Sequence, residues 1–185
     1  TALAHKQWKH VLIPGIDAAI DATCGNGNDS RILASILFPD EDIDTSSELI
    51  CIDVQKDACL ATETAVLEVV DPEVFDEKVQ IMQTSHASLP VTTAPLGLVC
   101  WNLGYLPNSS DKVICTQLES TIASITSAAL SVRVGGLLSI MTYPKTNANE
   151  HYAVFALLEC LALLSSKEME YGDFLASLDS NSCID

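Results

Sequence analysis

Residues 18–38 read A-A-I-D-A-T-C-G-N-G-N-D-S-R-I-L-A-S-I-L-F. The apolar run Ala18 to Cys24 predicts a short buried strand, and the glycines at positions 25 and 27 predict the turn that ends it. From Asp29 to Phe38, Ile32, Leu33, Ile36 and Leu37 recur at helical spacing, so a helix follows. The order strand, glycine turn, helix is the opening unit of an open α/β sheet.

Outward from that unit the alternation continues. Pro39 to Glu48 is an acidic, turn-rich loop, and Glu48 to Val54 (E-L-I-C-I-D-V) is a second strand. Between Lys56 and Val70, Ala58, Ala61, Ala65 and Val69 mark one face of a helix that Asp71-Pro72 ends. Val79 to Met82 gives a third strand and Leu96 to Trp101 (L-G-L-V-C-W) a fourth. A helix over Thr116 to Val132 carries Leu118, Ile122, Ile125, Ala129 and Val132 in steps of four and three. Gly135-Gly136 turns the chain into a fifth strand, Leu137 to Tyr143, and Val154, Leu157, Leu158, Leu161 and Leu164 mark a last helix. Residues 1–15 read as an N-terminal arm and 165–185 as a weakly patterned tail, all within one domain. Five alternations of strand and helix predict a mostly parallel sheet covered by helices on both faces. Ligands of such sheets bind beyond the carboxyl ends of the strands, here the turns after Cys24, Val54, Met82, Trp101 and Tyr143.

The chain has 185 residues, 48% of them apolar, enough for one compact core. Nine Lys and Arg against 25 Asp and Glu give a net charge of −16. That balance excludes a partner held by broad phosphate neutralisation and requires any nucleic-acid contact to be local. No apolar run is long enough to span a membrane and the first residues lack a secretory core, so the chain reads as soluble. It opens on Thr1, and an upstream start or targeting segment is expected to have been removed. Seven cysteines without a C-x-x-C pair read as packing residues of a reducing interior, in the cytoplasm or in an organelle such as a plastid or mitochondrion. No metal site and no membrane are expected; a homodimer stays open.

Four strand ends carry chemistry. In D-A-T-C-G-N-G-N-D (Asp21 to Asp29), Gly25 and Gly27 let the backbone approach a ligand at the start of a helix. A dinucleotide fingerprint asks for a third glycine at position 30, where Ser30 stands. Asp53 closes the second strand, 26 residues after Gly27, where a carboxylate suits the ribose hydroxyls of an adenosine cofactor. Ser85 and His86 can be presented to an adenine ring. In W-N-L-G-Y-L-P (Trp101 to Pro107), Asn102 offers a carbonyl oxygen to an incoming amine and Tyr105 a flat face to a base. The N-terminal H-K-Q-W-K-H, with His5, Lys6, Trp8, Lys9 and His10, is a small basic and aromatic patch able to meet a nucleic-acid loop.

D-A-T-C-G-N-G-N-D, C-I-D-V-Q, T-S-H, N-L-G-Y-L-P with D-K shortly after, V-G-G-L-L-S-I and T-Y-P, in this order, resemble the class I S-adenosylmethionine (SAM) methyltransferases of the rRNA methylase group. That group includes the tRNA 5-(aminomethyl)-2-thiouridine methyltransferases. The similarity covers roughly Ala4 to Leu164. It implies a Rossmann-like methyltransferase fold, SAM as donor, and the aminomethyl group of a wobble uridine in a tRNA anticodon loop as acceptor. It further implies that Asp21, Gly25, Asn26, Gly27 and Asn28 lie at the donor, with Asp53 and Gln55 on its ribose and adenine side. Ser85 and His86 would lie at the adenine. Asn102 and Tyr105 would then face the reacting amine, and His5, Leu106, Lys112 and Tyr143 the RNA side. Ala87 stands where group members often carry an acid, and Ser109-Ser110 where they carry a glycine. Beyond Leu164 the group's closing strand pair has no match. An rRNA or small-molecule amine acceptor, a non-catalytic nucleotide-binding module and NAD as the ligand are the competing readings.

Overall fold

The computed structural model describes residues 2–39, 45–104 and 117–167. Among them the elements run α1 (Ala2–Val11), β1 (Ala18–Asp21), α2 (Asn28–Leu37), β2 (Glu48–Asp53), α3 (Lys56–Leu67), α4 (Pro72–Lys78), β3 (Val79–Gln83), β4 (Leu96–Asn102), α5 (Leu118–Ser131), β5 (Leu137–Met141) and α6 (Ala148–Lys167). The strands form one sheet in the order β3-β2-β1-β4-β5, and every neighbouring pair is parallel. The order reverses direction between β1 and β4, which makes the crevice above those two strands the place for a ligand.

Central strands buried on both faces are near-continuously apolar, and β1, β2 and β4 obey this. One face of the sheet packs Leu49, Cys51, Leu98 and Cys100 against Trp8, Leu33, Leu37 and Val66 from α1, α2 and α3. The other packs Ile20, Ile50, Ile52, Val99 and Trp101 against Ile125 and Ala128 of α5 and Val154 of α6.

The structure adjusts several sequence expectations. The N-terminal arm contains a docked helix: Trp8 is 2% exposed and is a core residue, so it offers no face to a base. The helix expected to run up to Asp71-Pro72 ends earlier, α3 stopping at Leu67, and Asp71-Pro72 instead starts α4. The Asp71 carboxylate accepts the Glu73 N–H at 2.9 Å, and Pro72 occupies the first helical position, where its missing N–H costs nothing. The buried face of α3 is Ala58, Cys59, Thr62 and Val66, rotated from the expected stripe, and Val69 is exposed. On α5 the buried residues are Thr121, Ser124, Ile125 and Ala128. The two hydroxyls are buried because each has a partner: Thr121 donates to Glu150 at 2.8 Å, and Ser124 accepts the Trp101 indole N–H at 3.0 Å.

At the amino ends of the strands, Asp17 is wholly buried. Arg133 Nε and Nη2 donate to its two carboxylate oxygens at 2.7 and 2.5 Å, and Nη2 also donates to the carbonyl of Val11 at 2.9 Å. The pair closes the connection from α1 to β1 onto the turn before β5. Gly97 beneath it has no room for a side chain, since a Cβ there would lie 2.5 Å from Asp17 Oδ2. Removing one partner of such a pair strands the other charge. Arg133→Met should therefore cost about 3 kcal/mol, read as a lower urea midpoint at unchanged slope.

Candidate active site

Above the β1/β4 crevice lies an open pocket of about 550 Å³, within the size range of small-molecule sites. Its wall is drawn from the carboxyl ends of all five strands and from the start of α5. The β1 turn contributes Thr23, Gly25, Asn26, Asn28 and Asp29; β2 contributes Asp53, Val54 and Gln55; the turn after β3 contributes Ser85 and His86. On the opposite side stand Asn102, Leu103 and Gly104 after β4, Gln117 and Ser120 at α5, and Tyr143 and Thr146 after β5.

The glycine turn is built from both sides. Asp53 Oδ2 accepts the N–H of Gly25 at 3.1 Å, while Asp53 Oδ1 accepts the N–H of Gln55 at 2.9 Å. Thr62 of α3 donates to the carbonyl of Gly25 at 3.2 Å, and Cys24 N–H donates to the carbonyl of Ile52 at 2.9 Å. Gly27 takes a φ of +75°, and a Cβ there would lie 2.7 Å from the Thr62 backbone and 2.8 Å from the Ala65 Cβ. Its glycine serves the close approach of α2 to α3.

Beneath the turn sits Asp21, 1% exposed, accepting the Ser30 hydroxyl at 2.6 Å and the Thr23 N–H at 3.3 Å. Burial disfavours its charged form more than these bonds favour it, and its carboxyl is pushed up to about 7. Burial likewise pushes the thiols of Cys24, Cys51, Cys59 and Cys100 up, so these residues are protonated packing groups. His86 is pushed below the usual imidazole range by burial, against the opposing charge of Asp53. Its Nε2 is buried and has no hydrogen-bond partner among the described residues.

Gly25, Asn26, Asn28, Asp53, Gln55, Ser85, His86, Asn102 and Tyr143 are thus brought together around one pocket, as the strand-end argument expects. Asp21 and Gly27, expected at the ligand, lie behind its wall, because the first is the buried anchor of the turn and the second a helix-packing position. His5 stands one layer out, with Nε2 2.6 Å from the Asp29 carboxylate, fastening α1 to the rim. Tyr105, Leu106 and Lys112 lie outside the described residues. Sequence reasoning missed Thr23, Asp29, Leu103, Gly104, Gln117, Ser120 and Thr146. The first two stand inside the quoted glycine motif and could have been read there; Gln117 and Ser120 carry no signal in the sequence.

The chemistry of the wall suits an adenosyl ligand. Each oxygen of Asp53 keeps acceptor capacity beyond its one backbone bond, and His86 Nε2 lacks a partner. Asp29 and Asp53 are the carboxylates among the described lining residues, and no Lys or Arg accompanies them. Among the described residues no group of three or more His, Cys, Asp or Glu is placed to hold a metal ion, and no helix is long and apolar enough to cross a membrane.

A family model described as "Putative rRNA methylase" matches residues 49–177. The match starts later than the motif resemblance and runs past Leu164, where no match was expected. The chain is 31% identical over 146 residues to a chloroplastic tRNA (mnm(5)s(2)U34)-methyltransferase of Arabidopsis thaliana, covering 77% of this chain and 52% of that protein. It therefore spans about half the length of that relative. Among solved structures it is similar to a "putative rRNA-methylase" from Clostridium thermocellum, with a TM-score of 0.71 and 27% identity over 85% of this chain and 80% of the other. An rRNA methylase from Streptococcus thermophilus shares the fold at a TM-score of 0.62 and 24% identity, over 84% and 76% of the two chains.

The raised carboxyl of Asp21 ties stability to pH. Between the ordinary carboxyl range and about 7 the folded chain holds a proton that the unfolded chain has released, so this residue's contribution falls as pH rises through that window. Asp21→Asn removes the dependence. The melting temperature of the variant minus that of the parent should rise from pH 4.5 to 7.5 and level off above; a flat difference would show that Asp21 titrates normally.

Proposed function

The chain belongs to the rRNA methylase family, and from that premise we propose that it is an RNA N-methyltransferase. Its acceptor in this reading is the 5-aminomethyl group of a (2-thio)uridine at the tRNA wobble position. The observation that carries the reading is Asn102, which ends β4 in the pocket lining and whose backbone N–H donates to Thr23 Oγ1, beside the glycine turn, at 2.7 Å. The printed name of the chloroplastic relative supplies the acceptor and gives a chloroplast setting for that protein.

The methyl donor is S-adenosyl-L-methionine. When bound, it supplies a sulfonium-activated methyl group, which an amine lone pair takes in line as the C–S electron pair returns to sulfur. Asp53 would receive the ribose hydroxyls, while Ser85 and His86 would flank the base. The uncharged imidazole of His86 keeps the base side of the pocket neutral. Asn102 would accept one N–H of the amine through its side-chain carbonyl and so direct the nitrogen lone pair at the methyl group. An ammonium has no lone pair, so the acceptor must enter neutral or lose its proton at the rim. The carboxylates of Asp29 and Asp53 suit a ligand that carries positive charge. NAD would seat a pyrophosphate at the start of α2, where Ser30 replaces the third glycine of a dinucleotide turn and Asp29 lines the pocket, which favours SAM over NAD.

Local contact is what a chain of net charge −16 requires for RNA. On α1, Lys6, Lys9 and His10 are exposed and no acid accompanies them, which gives one face able to approach phosphates.

Nucleosides from hypomodified tRNA incubated with the protein and SAM, analysed by mass spectrometry, should show one added methyl on the aminomethyl-thiouridine. Methylation confined to rRNA, or donor binding without any transfer, would overturn the acceptor. Asn102→Ala should leave the Kd for SAM within about twofold and lower kcat by about 100-fold. Asp53→Ala removes hydrogen bonds to a charged acceptor worth about 1.5–3 kcal/mol each and should weaken SAM binding by tenfold or more, read by fluorescence titration.

A further inference from the structure

We propose that Tyr143 is a positioning residue whose hydroxyl holds the side-chain amide of Asn102 with its carbonyl oxygen, not its NH2 group, toward the acceptor amine. This rests on the role given to Asn102 above and adds a second residue to it.

A side-chain amide has two chemically opposite ends of nearly equal shape, and a half-turn about its last torsion exchanges them. Only the carbonyl end can accept an N–H from an amine. Presented the other way round, Asn102 would point its own N–H groups at the incoming nitrogen and engage the lone pair that must attack. Something must therefore fix the amide.

Asn102 is held at three levels. Its backbone N–H donates to Thr23 Oγ1 at 2.7 Å, on the glycine-turn side. The next N–H, of Leu103, donates to the carbonyl of Met141 at 2.9 Å, on the β5 side. At the side chain, the Tyr143 hydroxyl donates to Asn102 Oδ1 at 2.9 Å. The same hydroxyl lies 3.1 Å from Met141 Sδ, but a thioether is a weak acceptor and the amide carbonyl takes the proton. Gly104 lies beside the ring, where a Cβ would be 3.5 Å from Tyr143 Cδ2, an ordinary contact distance. A carbonyl oxygen has two lone pairs. Tyr143 occupies one, and the second stays open toward the pocket that both residues line. Tyr143 thus acts through Asn102, and the T-Y-P turn after β5 belongs to the transfer machinery rather than to the RNA side alone.

The test pairs an observation on the donor-free protein with kinetics. The side-chain 15N–1H signals of Asn102, identified by their loss in Asn102→Ala, should shift in Tyr143→Phe. In the same variant kcat for tRNA should fall by about tenfold, while KM for tRNA and the Kd for SAM stay within about twofold. Tyr143→Leu, which also removes the ring, should lose no more in kcat than Tyr143→Phe beyond what lower thermal stability explains. Unmoved Asn102 signals would overturn the contact whatever the activity. Shifted signals with an unchanged kcat would overturn the positioning role, as would a loss seen only with Tyr143→Leu. Failure of the parent protein to methylate tRNA with SAM bound would instead sink the reading of the reaction, and the parent control tells the two apart.

Discussion

The bond from the Gly25 N–H to the Asp53 carboxylate, 3.1 Å long, joins the turn after β1 to the end of β2, and the shape of the pocket follows from it. A carboxylate at that strand end does two things at once. It fixes two backbone N–H groups, those of Gly25 and Gln55, and it keeps acceptor capacity facing the crevice. Thr62 completes the clamp from α3 by donating to the Gly25 carbonyl. Because α2 starts at Asn28, the same clamp orients that helix, and the absent Cβ of Gly27 lets α2 lie against α3 at a distance no other residue allows.

Much of this was legible in the sequence because it rests on period and punctuation. The alternation of buried strands with helical spacing gave all five strands within two or three residues, and the parallel order followed from the alternation. Placing ligand residues at strand ends brought nine named residues around one pocket. What the sequence hid were features set by partners. Thr121 and Ser124 look like solvent-facing positions of α5 until Glu150 and Trp101 are seen to bond them. Asp71-Pro72 reads as a stop and is a start, since α3 already ends at Leu67 and an N-cap acid followed by proline opens α4. Gln117 and Ser120 enter the pocket because α5 begins there, and nothing in the local residues announces it.

The acidic composition and the proposed RNA substrate are reconciled by position. The exposed cations of α1, Lys6 and Lys9, lie on a helix that carries no acid, and His5 of that helix is fastened to Asp29 on the pocket rim. Trp8 is withdrawn into the core, so this face offers charge and not stacking. Affinity built from so few phosphate contacts is modest and strongly local. In the proposed reading, recognition then depends on the nucleotide that enters the pocket rather than on the length of RNA outside it.

The position of Ser30 shows why the glycine turn reads as it does. A pyrophosphate-binding turn uses glycine there to bring helix and strand together. Here the hydroxyl of Ser30 is spent 2.6 Å from the buried Asp21, whose carboxyl has no other side-chain hydroxyl to relieve its burial among the bonds described for it. Glycine at position 30 would leave that acid underbonded in the core, at a cost typical of a buried polar group without its partner, about 1–3 kcal/mol. The acid and the serine are therefore one choice, and they leave Gly25, Asn26, Asn28 and Asp29 as the part of the turn that lines the pocket. In the proposed reading the donor would occupy the crevice above β1 and β4, whose lining includes both Asp53 and Asn102.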